Sequence, residues 1–263
     1  MTKEENGGAG KRTLDDHCIL ASRCRFAGDE AKCNDMCGAF AQMHSATGRH
    51  TLAGLPQDYR LVTAANSPVR AEQPHVYRHV DAYIETFDRQ FEVDGEYIRS
   101  VYLFSAEPGT GKTTTAAALL NEYIAHHYAG AKKRGQTPAK RPGYFLDVNR
   151  WQALFNRVYM ASGDRRDELA AQFEDERRKA EQAQFAVFDD IGVRESTTGF
   201  KTHLHDVINT RVTERRPTVF TSNVPIDKLR DLFGDDRLPD RIRDLCVVLS
   251  PEGGSKRGNK RTR

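Results

Sequence analysis

Five short apolar runs divide the chain, and longer stretches with helical spacing of apolar residues lie between them. The runs cover residues 101–104, 144–148, 185–188, 217–221 and 246–249 and are rich in Val, Leu, Phe and Tyr. Apolar runs of this length, bounded by polar residues, are typical of strands buried on both faces. Their alternation with helices predicts an α/β fold, a parallel sheet covered by helices on both faces.

The intervening stretches predict the helices. We expect helices over about 76–91, 112–128, 164–184, 199–214 and 237–245, and one that carries Trp151, Leu154 and Phe155. The single tryptophan resembles a base-stacking residue, but its spacing with Leu154 and Phe155 predicts a packed core position. We also expect Cys246, which opens the last apolar run, to be a core residue.

Composition changes along the chain suggest four parts. Residues 1–60 are rich in cysteine, and residues 61–75 contain prolines without apolar periodicity, which is typical of a linker. Residues 76–250 hold all five predicted strands, and residues 251–263 end in Lys256, Arg257, Lys260, Arg261 and Arg263. Such a basic tail attracts a phosphate backbone or is simply solvated.

The first predicted strand is followed by a glycine-rich turn and then by a helix. This order is that of a phosphate-binding loop, because backbone N–H groups and the positive end of the helix favour an anion there. Lys112 is expected to reach the β and γ phosphates of ATP, and the Thr113 hydroxyl to hold Mg²⁺. The residues predicted to bind the nucleotide are Glu107, Pro108, Gly109, Thr110, Gly111, Lys112, Thr113 and Thr114.

Polar residues also follow two later strands. Asp189 and Asp190 end the run at 185–188, and Asn223 follows the run at 217–221. Ligands of parallel sheets bind at the carboxyl ends of the strands, so we expect these groups to meet the loop. We predict that Asp189 orients Mg²⁺, that Asp190 polarises the attacking water and that Asn223 positions this water or senses the γ-phosphate.

Three arginines before the last strand are candidates for a cation supplied by a neighbouring subunit. Arg237, Arg241 and Arg243 lie within seven residues. Such a cation stabilises the charge that develops during phosphoryl transfer. Salt bridges to nearby aspartates are the alternative for each of the three.

Four cysteines lie close together near the N-terminus, at Cys18, Cys24, Cys33 and Cys37. A local group of four thiols in a reducing compartment favours metal ligation over disulfides, and four thiolates suit a structural Zn²⁺. The spacing is looser than Cys-x-x-Cys, and an iron–sulfur cluster uses the same ligands. The same pattern also fits a metal site in which His17 or His44 replaces one cysteine. A further alternative is that the four cysteines are small buried residues that bind no metal.

Overall composition adds little to this picture. The formal net charge is only +3, so it does not by itself indicate nucleic-acid binding. No apolar run approaches the length that spans a bilayer, and the first ten residues have no signal-peptide core. We therefore expect a cytoplasmic protein without a membrane partner.

The motifs together resemble the AAA+ replicative helicase loaders of DnaC/DnaI type, especially the phage and mobile-element versions. The resemblance rests on residues 107–115, 188–192, 217–223 and 240–243. It implies an AAA+ P-loop NTPase core and an N-terminal zinc module that docks on a hexameric replicative helicase. The sequence departs from the family after Leu249, where we expect too few residues for the helical lid of a full AAA+ module. It also implies that Asn223 is the sensor 1 residue and Arg241 the arginine finger, with Arg237 as second choice.

The function implied is ATP-dependent loading of the helicase onto single-stranded DNA. Arg157, Arg165 and Arg166 are candidate DNA contacts by position. Asp190 departs from the glutamate common in AAA+ proteins, which favours slow hydrolysis. The alternatives are a transposition or initiator ATPase, a metabolic P-loop kinase and an adaptor that binds ATP without hydrolysing it; the strand-end residues argue against the kinase.

Overall fold

A computed structural model describes residues 13–92, 96–192, 196–233 and 237–254. The basic residues predicted for the C-terminal tail lie outside these ranges. The strands are β1 (Ser100–Phe104), β2 (Gly143–Asp147), β3 (Phe185–Asp189), β4 (Thr218–Ser222) and β5 (Cys246–Leu249). They form one sheet in the order β2-β3-β4-β1-β5, and all four neighbouring pairs are parallel. The predicted α/β class is confirmed.

The helices surround this sheet. They are α1 (Gly38–His44), α2 (Arg49–Leu52), α3 (Pro74–Glu85), α4 (Lys112–Lys133), α5 (Val148–Met160), α6 (Gly163–Gln182), α7 (Thr198–Thr213), α8 (Leu229–Phe233) and α9 (Arg237–Leu245). Short 3₁₀ helices lie at Asp15–His17, Ala21–Arg23, Gln57–Tyr59, Arg70–Glu72, Thr86–Phe91 and Ile226–Lys228.

Helix α4 is longer than predicted. The sequence predicts an end near Tyr128 because Gly130 follows, yet the helix continues to Lys133. A Cβ atom at Gly130 would lie 2.3 Å from the Phe91 ring, so a close approach explains this glycine. The predicted helix over 76–91 ends as an α-helix at Glu85 and continues as a 3₁₀ helix to Phe91.

Two hydrophobic clusters cover the two faces of the sheet. One contains residues of α3 and α4, and the other contains residues of α5, α6, α7 and α9. Trp151 is buried in the second cluster and stacks on Phe173 with ring centroids 4.8 Å apart. Cys246 is buried in the same cluster. Both residues are core residues, as predicted.

Residues N-terminal to α3 contribute to the first cluster. Ile19, Leu20, Met43, Leu55 and Val69 are buried there beside residues of α4. Backbone contacts join the two regions as well, because the Phe145 N–H on β2 donates to the Ala53 carbonyl at 2.8 Å. The N-terminal region is therefore packed onto the sheet and its helices.

Asn121 and Glu122 of α4 fix this contact with polar bonds. The Asn121 amide donates to the carbonyls of Tyr59 and Val62, both at 2.8 Å. Glu122 accepts from the Ala64 N–H at 3.2 Å and pairs with Arg23 at 3.0 Å. Residues 61–75, predicted as a linker, thus lie against α4, while the boundaries of the domains stay a prediction.

A buried arginine ties the second face together. Arg211 of α7 is fully buried and donates to the carbonyls of Ala180, Ala183 and Pro217 and to the Thr218 hydroxyl, at 2.7–2.8 Å. Its partners lie at the end of α6, just after that end, and at the start of β4. Burial lowers the pKa of Arg211 to about 9. The guanidinium thus satisfies carbonyls that a shorter side chain cannot reach.

We predict that Arg211→Met lowers the free energy of unfolding by about 3 kcal/mol, because several buried carbonyls lose their donor. Urea denaturation measures this change. The control is Arg178→Met, which removes an exposed arginine from α6 and should change the free energy of unfolding by no more than about 0.5 kcal/mol. Equal stability of the two variants would contradict the role given to Arg211.

Candidate functional site

The turn between β1 and α4 has the geometry of a phosphate-binding loop. Gly109 and Gly111 adopt left-handed φ values of 75° and 96°, which favour glycine. Lys112 is buried, and its Nζ donates to the carbonyls of Ser105 at 3.1 Å and Glu107 at 3.0 Å. The loop therefore folds around its own lysine and places the ammonium group at the N-terminal end of α4.

Val69 packs behind this loop. A Cβ atom at Gly111 would lie 2.9 Å from both Cγ atoms of Val69. Thr115, in the first turn of α4, makes a polar contact with α3. Its hydroxyl lies 3.4 Å from the Tyr77 hydroxyl, which donates to Ser67. Sequence reasoning missed Val69, since it stands in the stretch interpreted as a linker.

Asp189 joins the loop to the end of β3. One carboxylate oxygen accepts from the Thr113 hydroxyl at 3.2 Å, and the other accepts from the Thr221 hydroxyl at 2.7 Å. Burial raises the pKa of Asp189 to about 6, partly opposed by the hydrogen bond from Thr221. Thr221 lies on the neighbouring strand β4 and was also missed, because a threonine inside an apolar run is typical of any strand.

The two remaining strand-end residues directly follow β3 and β4. Asp190 adopts a left-handed φ of 61°, and its N–H donates to the Thr221 hydroxyl at 2.8 Å. The Asn223 Oδ1 atom is buried, and no group in the described ranges donates to it. A buried acceptor of this kind is suited to a ligand or a water molecule. The three strand ends therefore meet, as the sequence predicted.

Asp147 is a third strand-end carboxylate. It lies at the end of β2, opposite Asp189 in the strand register, and adds to the raised pKa of Asp189. Its own Oδ1 accepts from the Arg150 N–H at 2.9 Å and caps α5. Sequence reasoning placed Asp147 within the strand and gave it no role.

The arginines of α9 bind within the chain. Arg241 donates to Asn209 at 2.7 Å and to Thr213 at 3.0 Å on the exposed side of α7. Arg243 pairs with Asp227 and Asp240, both at 3.0 Å. The side chain of Arg237 lies outside the described residues. The choice of Arg241 as arginine finger stays a prediction.

The candidate DNA contacts lie at the corner between α5 and α6. Arg157, Arg165 and Arg166 are exposed there. Two large apolar side chains at the end of α5 are exposed as well, Tyr159 at 71% and Met160 at 86%. An exposed aromatic residue next to arginines is typical of surfaces that stack on single-stranded bases.

The N-terminal cysteines lie around one cavity, which Cys18, Cys24, Cys33 and Cys37 all line. Within the described part of the chain, however, no three His, Cys, Asp or Glu side chains are arranged to hold one metal ion. His44 stacks on Phe40 with ring centroids 4.6 Å apart. The zinc prediction and its histidine variants therefore gain no support.

Among the described helices, none has the length and apolar content needed to cross a membrane.

Curated proteins that are similar to this chain include helicase loaders. No family model matches the chain. The "Replicative helicase loader DnaC" of Escherichia coli K12 is 24% identical over 171 residues, which cover 64% of this chain and 58% of that protein. The resemblance to helicase loaders of the DnaC/DnaI type is confirmed. The chain matches somewhat less than three fifths of the length of this curated relative, and nothing found supports a phage version.

Solved structures agree on the fold. The "Crystal Structure of the DnaI" has a TM-score of 0.52 and 20% identity, and the match covers 77% of this chain and 94% of that chain. The "Crystal structure of the DnaC helicase loader" also has a TM-score of 0.52, with 16% identity over 75% of this chain and all of that one. These matches agree with the predicted α/β fold.

We predict that Asp189→Asn stabilises the nucleotide- and metal-free protein by about 2 kcal/mol at pH 8. A pKa raised from 3.8 to about 6 corresponds to roughly 3 kcal/mol against the charged carboxylate. The native carboxyl holds its proton to higher pH than the unfolded one, so stability falls as pH rises from about 4 to 6. The gain from asparagine should therefore fall to about half its pH 8 value near pH 5 and vanish below about pH 4.

Urea denaturation with EDTA present, at pH 5 and pH 8, measures this difference. The matched control is Asp167→Asn, which removes an exposed carboxylate from α6. A destabilised Asp189→Asn protein at pH 8, or a gain that does not depend on pH, would contradict the prediction.

Proposed function

We propose that this protein is an ATP-dependent loader that binds a hexameric replicative helicase and helps place it on single-stranded DNA. The observation that carries the proposal is the hydrogen bond between Thr113 of the phosphate loop and Asp189 at the end of β3. It joins the two groups that hold Mg²⁺ in P-loop ATPases. The likeness to DnaC-type loaders supports the assignment of the site to helicase loading.

The residues present suit ATP and Mg²⁺. Apart from Pro108, residues 107–114 supply backbone N–H groups, Lys112 supplies the cation for the phosphates, and Thr113 and Asp189 supply oxygen ligands for the metal. Bound Mg²⁺ neutralises charge on the β and γ phosphates. Asp190 then polarises the attacking water and Asn223 orients it through its unpaired oxygen. The short carboxylate of Asp190 favours slow turnover.

Arg241 is the proposed finger toward a neighbouring copy. It lies on the exposed side of α9 and is held by two neutral side chains, whereas Arg243 already pairs with two carboxylates. Moving Arg241 to a phosphate therefore breaks no ion pair among its described contacts. This difference favours Arg241 over Arg243.

We expect Lys112→Ala to abolish ATP binding and Asp190→Asn to keep binding but slow hydrolysis by about 10²-fold or more, the usual scale for a lost general base. Steady-state phosphate release and binding of a fluorescent ATP analogue separate the two effects. Lys133→Ala is the matched control, since Lys133 ends the same helix about 30 Å from Lys112. Unchanged hydrolysis in Asp190→Asn would remove Asp190 from the mechanism.

Single-stranded DNA is the second proposed partner, bound at the corner between α5 and α6. The double variant Arg165→Glu, Arg166→Glu should weaken binding to a labelled oligonucleotide and reduce its salt dependence, because phosphate contacts are lost. Arg177→Glu, Arg178→Glu changes the same charges near the other end of α6 and should leave binding nearly unchanged. Equal effects of the two pairs would contradict a site at this corner.

The N-terminal region is the proposed helicase-docking part. Its removal would uncover Ile19, Leu20 and Met43 of the core, so a point change is the better test. Met36 is 90% exposed, and Met36→Glu should weaken co-purification with the replicative helicase. Met160→Glu, at a methionine that is 86% exposed, is the control. If the unaltered protein forms no complex with the helicase, the loader proposal fails.

A further inference from the structure

A single hydroxyl group on β4 contacts both acidic residues at the end of β3. The Thr221 Oγ1 atom donates to one carboxylate oxygen of Asp189 at 2.7 Å and accepts from the Asp190 N–H at 2.8 Å. Thr221 has no exposed surface, so neither bond competes with bulk solvent. One side chain thus connects the two residues to which the proposed function gives different tasks.

The chemistry of a hydroxyl group fixes the direction of both bonds. An amide N–H can only donate, so the contact with Asp190 uses a lone pair of the Thr221 oxygen. The one proton of the hydroxyl then points to the Asp189 carboxylate, which accepts it. Thr221 therefore gives its donor to one acidic residue and its acceptor to the next.

Asp190 lies in a turn that β4 holds from both sides. Its φ of 61° is in the left-handed region, which is uncommon for a residue other than glycine. Beyond the bond to the Thr221 hydroxyl, the Ile191 N–H donates to the Thr221 carbonyl at 2.9 Å, and the Ser222 hydroxyl donates to the Ile191 carbonyl at 2.7 Å. A backbone conformation of this kind persists only where the surrounding contacts hold it.

We propose that Thr221 is a positioning residue for ATP hydrolysis, which sets the placement of Asp189 and Asp190 together. The inference rests on the proposed function, in which Asp189 orients Mg²⁺ and Asp190 polarises the attacking water. Thr221 orients the Asp189 carboxylate through its proton and holds the backbone that carries the Asp190 side chain through its lone pair. Carboxylates that hold a metal depend on outer partners of this kind.

The other hydroxyl on Asp189 has a different part in the proposal. Thr113 donates to the second carboxylate oxygen at 3.2 Å, a longer contact than that of Thr221. Its hydroxyl is also the group proposed to bind Mg²⁺, whereas Thr221 has no proposed ligand role. Thr221 is therefore available to orient Asp189 whether or not the metal is bound.

The test compares Thr221→Val, which has nearly the same shape without the hydroxyl, with Thr221→Ser, which keeps the hydroxyl. The first measurement is the Mg²⁺ concentration needed for half-maximal binding of a fluorescent ATP analogue, since binding does not depend on turnover. We expect Thr221→Val to raise this concentration by about tenfold or more, the usual scale for a lost outer partner of a metal ligand, and Thr221→Ser to restore it to within about threefold.

Steady-state hydrolysis at saturating Mg²⁺ is the second measurement. A displaced Asp190 should lower the kcat of Thr221→Val by about tenfold or more, with KM for ATP nearly unchanged because the phosphate loop is intact. The matched control is Thr218→Val, which removes another buried hydroxyl from the opposite end of β4. It should lower stability, because Thr218 accepts from Arg211, but leave kcat and the Mg²⁺ requirement unchanged.

The role of Thr221 is overturned if Thr221→Val matches the unaltered chain in both measurements. Equal losses in the Val and Ser variants, or an equal change in Thr218→Val, would overturn it as well. If Thr221→Val does not fold, Thr221→Ala is compared with Thr221→Ser in the same assays. No ATP binding by the unaltered chain would overturn the proposed ATPase together with this role, whereas ATP binding without a helicase complex would count only against helicase loading.

Discussion

The buried carboxylate of Asp189 is the constraint around which this end of the sheet is arranged. Parallel strands bring their carboxyl ends to one edge, and the pairing of Phe188 with Phe220 places Asp189 beside Thr221. Two hydroxyl groups hold the carboxylate, yet burial still raises its pKa to about 6. The fold alone therefore leaves this negative charge only partly satisfied, which is the condition in which a bound cation is most strongly favoured.

The same edge explains which site residues the sequence could reveal. Asp189, Asp190 and Asn223 stand where an apolar run gives way to polar residues, so the end of each strand is visible in the pattern. Parallel pairing then brings these ends together without further information. Thr221 lies inside its run, and only the register of β4 against β3 shows that its hydroxyl reaches the carboxylate.

Residues 13–73 show the opposite case. They are built from 3₁₀ turns and two short α-helices, which give no apolar periodicity to recognise. Their buried residues are single apolar side chains such as Ile19, Leu55 and Val69, separated by polar and proline-containing stretches. A flexible linker has the same sequence pattern. What orders this region is its contact with residues of α4, which lie more than fifty positions further along the chain. Likewise, the spacing of the cysteines shows that the thiols are local, but only the fold shows the cavity between them.

Helix α4 connects the two regions. It has 22 residues and is about 33 Å long, with the phosphate loop at its first turn and the cysteine-lined cavity at its last. Between these ends it carries Thr115, Asn121 and Glu122, each in contact with the N-terminal region or with α3.

A ligand couples two regions only if its binding changes a contact that they share. The contact of Val69 with Gly111 is of this kind, because Gly111 belongs to the loop and Val69 to the segment joining α3 to the N-terminal region. A shift of the loop either moves Val69 or opens a gap beside it, so the N-terminal region is in direct contact with the loop that is proposed to bind the nucleotide.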